Sequence, residues 1–174
     1  YGETKLDGEK AIQESGCNYY IFRVSWLIGK YGNNFAKKII YFAKNKENLK
    51  VINDQKGVPT SPRLISEVIK HLIKSYETNL RWDFGIYNLN PRGEASWFII
   101  AKFIINFINE MDNKNSFLVK SVQPVSTNEF KTKAKRPLNS LLDNSKLEKV
   151  LGYELNDWES YFINDLKEIL HNSL

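Results

Sequence analysis

The chain has 174 residues, a formal net charge of +5 and a globular composition, with 42% hydrophobic, 26% charged and 13% aromatic residues. This length suits one domain or a little more, and the aromatic content argues against a disordered protein. The charge permits an anionic ligand but is far below that of a dedicated nucleic-acid-binding protein, so we expect no nucleic-acid partner.

The numbers of cysteine and histidine residues and the lengths of the apolar stretches exclude further classes of protein. A single cysteine, Cys17, excludes an internal disulfide bond, and with His71 and His171 as the only histidines we expect no metal site. The apolar run at 97–108 is interrupted by Lys102 and is too short to span a bilayer. With no signal peptide recognised, we expect a soluble, cytoplasmic protein without a membrane partner.

The first half of the chain alternates between helical and extended patterns. A helix at 2–15 should end at Gly16, and the β-rich run at 19–28 predicts a buried strand. After a turn, apolar residues at helical spacing predict an amphipathic helix at 35–46. A short strand at 49–53, a loop at 54–62 and a second amphipathic helix at 64–76 follow.

The second half continues the alternation. We expect a strand at 85–90, a helix at 97–111 with Ser96 placed to cap it, and an extended segment at 116–125. A polar loop at 126–140 precedes two short helices near 144–152 and 158–170. Strands that alternate with helices favour an α/β architecture with parallel strand pairing.

Tyr1 and Lys5 lie four residues apart at the start of the first predicted helix, so their side chains should share one face. An ammonium group near a phenol favours the phenolate, and a tyrosine perturbed in this way can act as a general acid or base. On spacing alone the pair is weak evidence, because Tyr-x-x-x-Lys is common on the solvated surfaces of helices.

Longer stretches carry a more specific resemblance. "YGETKLDGE" followed by "YYIFRVSWLIGKYGNNF" resembles the extended short-chain dehydrogenase/reductase family, in which a Tyr-x-x-x-Lys helix leads into such a strand. "VINDQKGVPTSP", "GIYNLNPRGEASW" and "VQPVSTNEFKTKAKRPLNSLLDNSKL" are similar to the C-terminal half of the dTDP-4-dehydrorhamnose reductases of that family. The resemblance covers nearly the whole chain.

The resemblance implies a fold and a reaction. The fold would be α/β: the C-terminal part of a Rossmann-type parallel sheet plus a smaller α/β substrate-binding subdomain. Residues 1–32 would be a remnant of the dinucleotide-binding domain, and 33–174 mainly the substrate-binding subdomain, with segments returning to the sheet. The reaction would be the reduction of the C4 keto group of dTDP-4-dehydro-L-rhamnose by NADPH or NADH.

The resemblance also implies site residues. Tyr1 would donate the proton, and Lys5 would activate Tyr1 and hold the nicotinamide ribose. Val24 and Ser25 would lie near the nicotinamide. The candidates for contact with the dTDP-sugar are Trp26, Asn33, Asn34, Gln55, Thr60 and Arg136.

Each substrate candidate has a plainer explanation that the sequence leaves open. Trp26 could be packing, the two asparagines could cap a helix, and Gln55 and Thr60 could serve turn structure. In "KTKAKRP" we favour Arg136 for the diphosphate, since arginine suits bidentate capture of such a group, and expect the three lysines to be solvated.

One departure from the family bears on activity. The chain contains neither the glycine-rich dinucleotide fingerprint nor the Ser/Thr that completes the catalytic triad, so we expect a fragment that is inactive alone and self-associates through an exposed sheet edge. Two alternatives remain open: a non-catalytic relative like the regulatory subunit of methionine adenosyltransferase, and another nucleotide-sugar epimerase or dehydratase.

Overall fold

The computed structural model describes residues 1–78, 82–111, 116–130 and 136–171. The described residues form, in chain order, α1 (Gly2–Glu14), β1 (Tyr20–Arg23), α2 (Phe35–Asn45), β2 (Asn48–Ile52), β3 (Lys56–Gly57), α3 (Pro62–Glu77), β4 (Gly85–Asn88), β5 (Ala95–Ser96), α4 (Trp97–Met111), β6 (Ser121–Val125), a 3₁₀ turn (Thr127–Glu129), α5 (Ser145–Leu151) and α6 (Trp158–His171). Within these ranges, no helix combines the length and apolar character needed to cross a bilayer.

The two longer strand pairs are parallel, as the alternation of strands and helices predicts. β1 pairs with β4 from Tyr20↔Gly85 to Arg23↔Asn88, and β2 pairs with β6 from Asn48↔Ser121 to Ile52↔Val125. The two-residue strands β3 and β5 pair antiparallel, although the sequence predicts a loop at β3 and only a helix cap at Ser96 of β5.

Each parallel pair lies in its own hydrophobic core. The β1–β4 core joins these strands to α3 and α5, with Tyr87, Leu64 and Leu147 among its buried residues. The β2–β6 core is larger and joins its strands to α2, α4 and α6. Side chains alternate between the faces of a strand, so Tyr20 and Phe22 pack on the β1–β4 core while Arg23 points to the opposite face.

Helix α1 has no buried residue and is joined to the sheet by an ion pair. Arg23 at the end of β1 donates from Nε and Nη2 to the two carboxylate oxygens of Glu9, at 2.9 and 2.5 Å. These hydrogen bonds lower the pKa of the Glu9 carboxyl. Gly16 follows the helix with a φ of +71°, which agrees with the predicted helix end.

The predicted strand at 19–28 is wrong beyond Arg23. Trp26 has a φ of +40°, which a strand cannot accommodate, and the chain turns away from β4 at that point. It then runs beside Thr60, whose amide donates to the Trp26 carbonyl (3.1 Å) and whose carbonyl accepts from the Ile28 amide (3.0 Å). This contact joins the segment after β1 to the segment before α3.

Candidate functional site

Tyr1 and Lys5 lie on the first turn of α1. Tyr1 is the N-cap residue and is 92% exposed. The Lys5 amide donates to the Tyr1 carbonyl at 3.1 Å, and the Lys5 ammonium lies 5.5 Å from the centroid of the Tyr1 ring. The structure therefore places the two groups side by side, on a surface open to a ligand.

Val24 and Ser25 follow the carboxyl end of β1, the edge of a parallel sheet at which ligands bind. Val24 is exposed, and Ser25 is half-buried. The Ser25 hydroxyl is buried and has no hydrogen-bond partner within the described part of the chain. Because buried hydroxyls normally have a partner, this site fits a bound group that offers one.

Trp26 is held between two neighbours. Its ring stacks on that of Trp97, with centroids 3.7 Å apart and an interplanar angle of 16°. A Cβ built on Gly57 would lie 2.6, 2.7 and 2.9 Å from Cε2, Cζ2 and Cδ2 of Trp26. Because these distances to three atoms of the indole ring are nearly equal, the Cβ would lie over the face of the ring. Since no Trp97 atom is among the nearest to that point, Gly57 covers the face opposite Trp97.

Gln55 is buried, with 4% of its surface exposed, and both ends of its amide are engaged. Its oxygen accepts from Nε1 of Trp97 at 3.0 Å, and its nitrogen donates to the Thr127 hydroxyl at 3.1 Å. Thr127 in turn donates from its hydroxyl (2.6 Å) and its amide (2.9 Å) to the Asp54 carboxylate, which lowers the pKa of Asp54.

Trp97, Thr127 and Asp54 belong to this network, although none of them is among the site residues predicted from the sequence. For Asp54 and Thr127, the positions just after predicted extended segments could have indicated a place in the site. Asp54 follows β2 and Thr127 follows β6, and the carboxyl ends of adjacent parallel strands meet at one edge of a sheet. An open groove of about 280 Å³ lies at this edge, lined by Asn53, Asp54, Pro124, Val125, Ser126 and Glu129.

Thr60 is fully buried, and its hydroxyl has no partner among the residues described. Its backbone bonds to Trp26 and Ile28 bring it to the same place as the indole pair. The structure thus joins three of the predicted substrate residues, Trp26, Gln55 and Thr60, through Trp97 and through the backbone.

The remaining predicted residues lie outside this network. Asn34 is the N-cap of α2: its Oδ1 accepts from the Lys37 amide (3.1 Å) and its Nδ2 donates to the Gly29 carbonyl (2.6 Å), so it serves the capping role that the sequence left open. Asn33 and Arg136 are exposed. The lysines expected to be solvated, at positions 131, 133 and 135, lie outside the described residues. Substrate contact by Asn33, Asn34 or Arg136 stays a prediction.

Comparison with known proteins covers almost all of the chain. The sequence model of the RmlD substrate binding domain matches residues 1–172. A dTDP-4-dehydrorhamnose reductase of Sinorhizobium fredii is 37% identical over 163 residues, covering 91% of this chain and 53% of that protein.

Solved structures agree in fold. A dTDP-4-dehydrorhamnose reductase from Clostridium acetobutylicum superposes with a TM-score of 0.83 and 34% identity, over 98% of this chain and 55% of that one. The enzyme from Bacillus anthracis, solved in complex with NADP, superposes with a TM-score of 0.78 and 34% identity, over 99% and 55%. The α/β fold class is confirmed, and the chain spans about half the length of the relatives it matches.

Proposed function

The chain belongs to the RmlD substrate binding domain family, and on that premise we propose that it supplies the C-terminal half of a dTDP-4-dehydrorhamnose reductase. The observation that carries the proposal is the adjacent Tyr1 and Lys5 on an exposed helical turn, with the Lys5 ammonium 5.5 Å from the tyrosine ring. The ion pair of Glu9 with Arg23 ties this helix to the strand that leads into Ser25 and Trp26.

The proposed reaction adds a hydride to C4 of dTDP-4-dehydro-L-rhamnose and a proton to the C4 oxygen. Tyr1 donates that proton from its hydroxyl, and the Lys5 ammonium stabilises the phenolate that remains. A nicotinamide cofactor, NADPH or NADH, supplies the hydride when bound. Lys5 has donors left for the ribose hydroxyls, and the Ser25 hydroxyl, which has no partner among the described residues, offers a hydrogen bond near Val24.

The dTDP-sugar would lie at the carboxyl ends of the parallel strands. Trp26, Gln55 and Thr60 converge next to these ends, and the groove between Asp54 and Ser126 opens at the carboxyl end of the β2–β6 pair. Arg136 would pair with the diphosphate.

The two hydrophobic cores support a division of the chain into a cofactor-binding part and a substrate-binding part. Residues 1–32 contain α1 and β1 and would belong to the cofactor-binding domain, with β4 returning to its sheet beside β1. Residues 33–174 would mainly form the substrate-binding subdomain, built on the β2–β6 core.

A chimera tests the reductase proposal. The N-terminal half of the related Sinorhizobium fredii reductase is joined ahead of Tyr1, and NADPH consumption is followed with dTDP-4-dehydro-L-rhamnose. Tyr1→Phe should lower kcat roughly 10²–10⁴-fold, as expected for loss of a general acid. Tyr31→Phe, which alters another exposed tyrosine, is the control and should keep full activity. Full activity of the Tyr1→Phe chimera would contradict the assigned role.

The 174-residue chain by itself should neither bind NADPH tightly nor turn over substrate, because its sequence lacks the phosphate-binding fingerprint. Among the described strands, β1 pairs only with β4, and its other edge should promote self-association. Sedimentation at several concentrations measures this association, and a monomer at every concentration would count against it. A cytoplasmic location is part of the same proposal.

A further inference from the structure

Gln55 lies in the predicted substrate site but is not placed to touch a ligand. The side chain is 4% exposed, and its oxygen and nitrogen are already bonded to Trp97 and Thr127. A buried amide with both ends satisfied holds its neighbours in fixed positions.

The hydrogen bond from Nε1 of Trp97 fixes the rotation of that ring about its side-chain bonds. The ring is packed further by Phe35, whose centroid lies 4.6 Å away. Trp26 stacks on the ring at 3.7 Å, so its plane follows that of Trp97. With Gly57 behind it, Trp26 cannot rotate independently.

The same packing decides how Trp26 can meet a sugar. Both faces of its ring are covered, by Trp97 and by Gly57, so a sugar cannot stack on either. The ring is half-buried, and its accessible part is an edge. An indole edge offers one N–H donor and apolar carbon, and an N–H donor suits a hydroxyl or keto oxygen in a single orientation.

We propose that Gln55 is a positioning residue: by holding the indole N–H of Trp97 it orients the stacked Trp26, whose edge then selects the sugar of the dTDP-sugar. This inference rests on the proposed function. Thr127 and Asp54 anchor the far end of the Gln55 amide to the segment after β6.

The proposal predicts a selective defect. In Gln55→Leu the Trp97 N–H loses its acceptor and Trp26 loses its fixed orientation, so the affinity for dTDP-L-rhamnose should fall about tenfold, the scale of one hydrogen bond lost between Trp26 and the sugar. Affinity for dTDP, which lacks the sugar, should stay within about twofold, because the displaced edge of Trp26 would contact only the sugar. Calorimetry on the chain measures both, and Gln123→Leu, on an exposed strand position, is the matched control.

A spectroscopic measurement without ligand tests the orientation directly. Two closely stacked indoles give a coupled signal in the ultraviolet circular dichroism spectrum, and its size depends on the angle between the rings. Gln55→Leu should reduce the signal, and Gln123→Leu should retain it. An unchanged signal in a folded Gln55→Leu protein would overturn the proposal.

A double-mutant cycle separates positioning from simple loss of stability. Trp97→Phe removes the N–H that Gln55 holds, so adding Gln55→Leu in that background should produce little further loss of dTDP-L-rhamnose affinity. Additive losses would overturn the proposal, as would equal weakening of dTDP and dTDP-L-rhamnose by Gln55→Leu.

A second variant covers the case in which Gln55→Leu does not fold. Thr127→Val removes the hydroxyl that accepts from Gln55 while leaving the Gln55–Trp97 bond in place, and it should give a smaller loss of the same selective kind. Unchanged affinity and an unchanged spectrum in Thr127→Val would then overturn the proposal. Failure of both the unmutated chain and the unmutated chimera to bind either ligand would refute the proposed function and the sugar role, and the spectra would still show whether Gln55 orients the indoles.

Discussion

Gly57→Ala should destabilise the protein through the indole pair. The added methyl group would lie 2.6 Å from Cε2 of Trp26, about 0.8 Å closer than ordinary van der Waals contact. Trp26 cannot move away from it freely, because Trp97 is stacked on its other face at 3.7 Å. Either both rings shift together or the β3 backbone moves.

Overpacking of this kind costs about 1–3 kcal/mol of unfolding free energy. For a chain of this length, each kcal/mol lowers Tm by about 2–4 °C. Urea or thermal unfolding gives the stability, and near-ultraviolet circular dichroism reports the displaced indoles. The dichroism should change at temperatures well below the unfolding transition.

Gly8→Ala is the matched control. Gly8 lies in exposed helix α1, and apart from the backbone of its own helix and its chain neighbours no described atom lies within 4 Å of an added Cβ, so the substitution should be neutral or slightly stabilising. If Gly57→Ala is as stable as the unmutated protein and leaves the aromatic spectrum unchanged, Gly57 does not pack against the ring of Trp26. The described placement of Trp26 between Trp97 and Gly57 would then be wrong.

Three further predictions concern caps and charges. Asn34→Ala should lower the unfolding free energy by about 1 kcal/mol through loss of the α2 cap, whereas the neighbouring exposed Asn33→Ala should change little; equal losses in urea unfolding would contradict the cap. Glu9→Gln removes the carboxylate that binds Arg23, so amide hydrogen exchange should accelerate in α1 with little change in global stability. Unchanged exchange in α1 would show that other contacts hold the helix. Burial raises the pKa of Asp165, so the folded protein retains a proton that the unfolded chain has already lost. As pH rises from about 4 through the raised pKa, the unmutated protein should therefore lose stability relative to Asp165→Asn. Parallel curves of stability against pH for the two proteins would refute this.

The helices and longer strands could be predicted because their signals are local. Apolar spacing marks α2 and α3, and Ser96 does cap α4 by accepting from the Ile99 amide at 3.1 Å. The pairing of β3 with β5 could not be predicted, because two-residue strands carry no periodic pattern. Only the meeting of segments about 40 residues apart defines them.

The sequence predicted which residues lie near the site better than it predicted what each side chain does there. Trp26 and Gln55 were named as substrate contacts, yet the structure turns Gln55 inward and covers both faces of Trp26. Both outcomes depend on Trp97, whose position follows from the packing of α4 against the β2–β6 core. No local pattern encodes which of two distant indoles stacks on the other.

The indole pair lies where the chain passes between its two hydrophobic cores. Trp26 follows β1 of one core and packs on the other, and Thr60, which is bonded to it, immediately precedes the α3 cap. The segments 24–28 and 57–61 are therefore held together at this crossing. A change that displaces Trp26 should also loosen the joint between the cores, which is why Gly57→Ala is expected to affect sugar affinity as well as stability. If its stability loss occurs with unchanged affinity for dTDP-L-rhamnose, the crossing supports the fold without shaping the site.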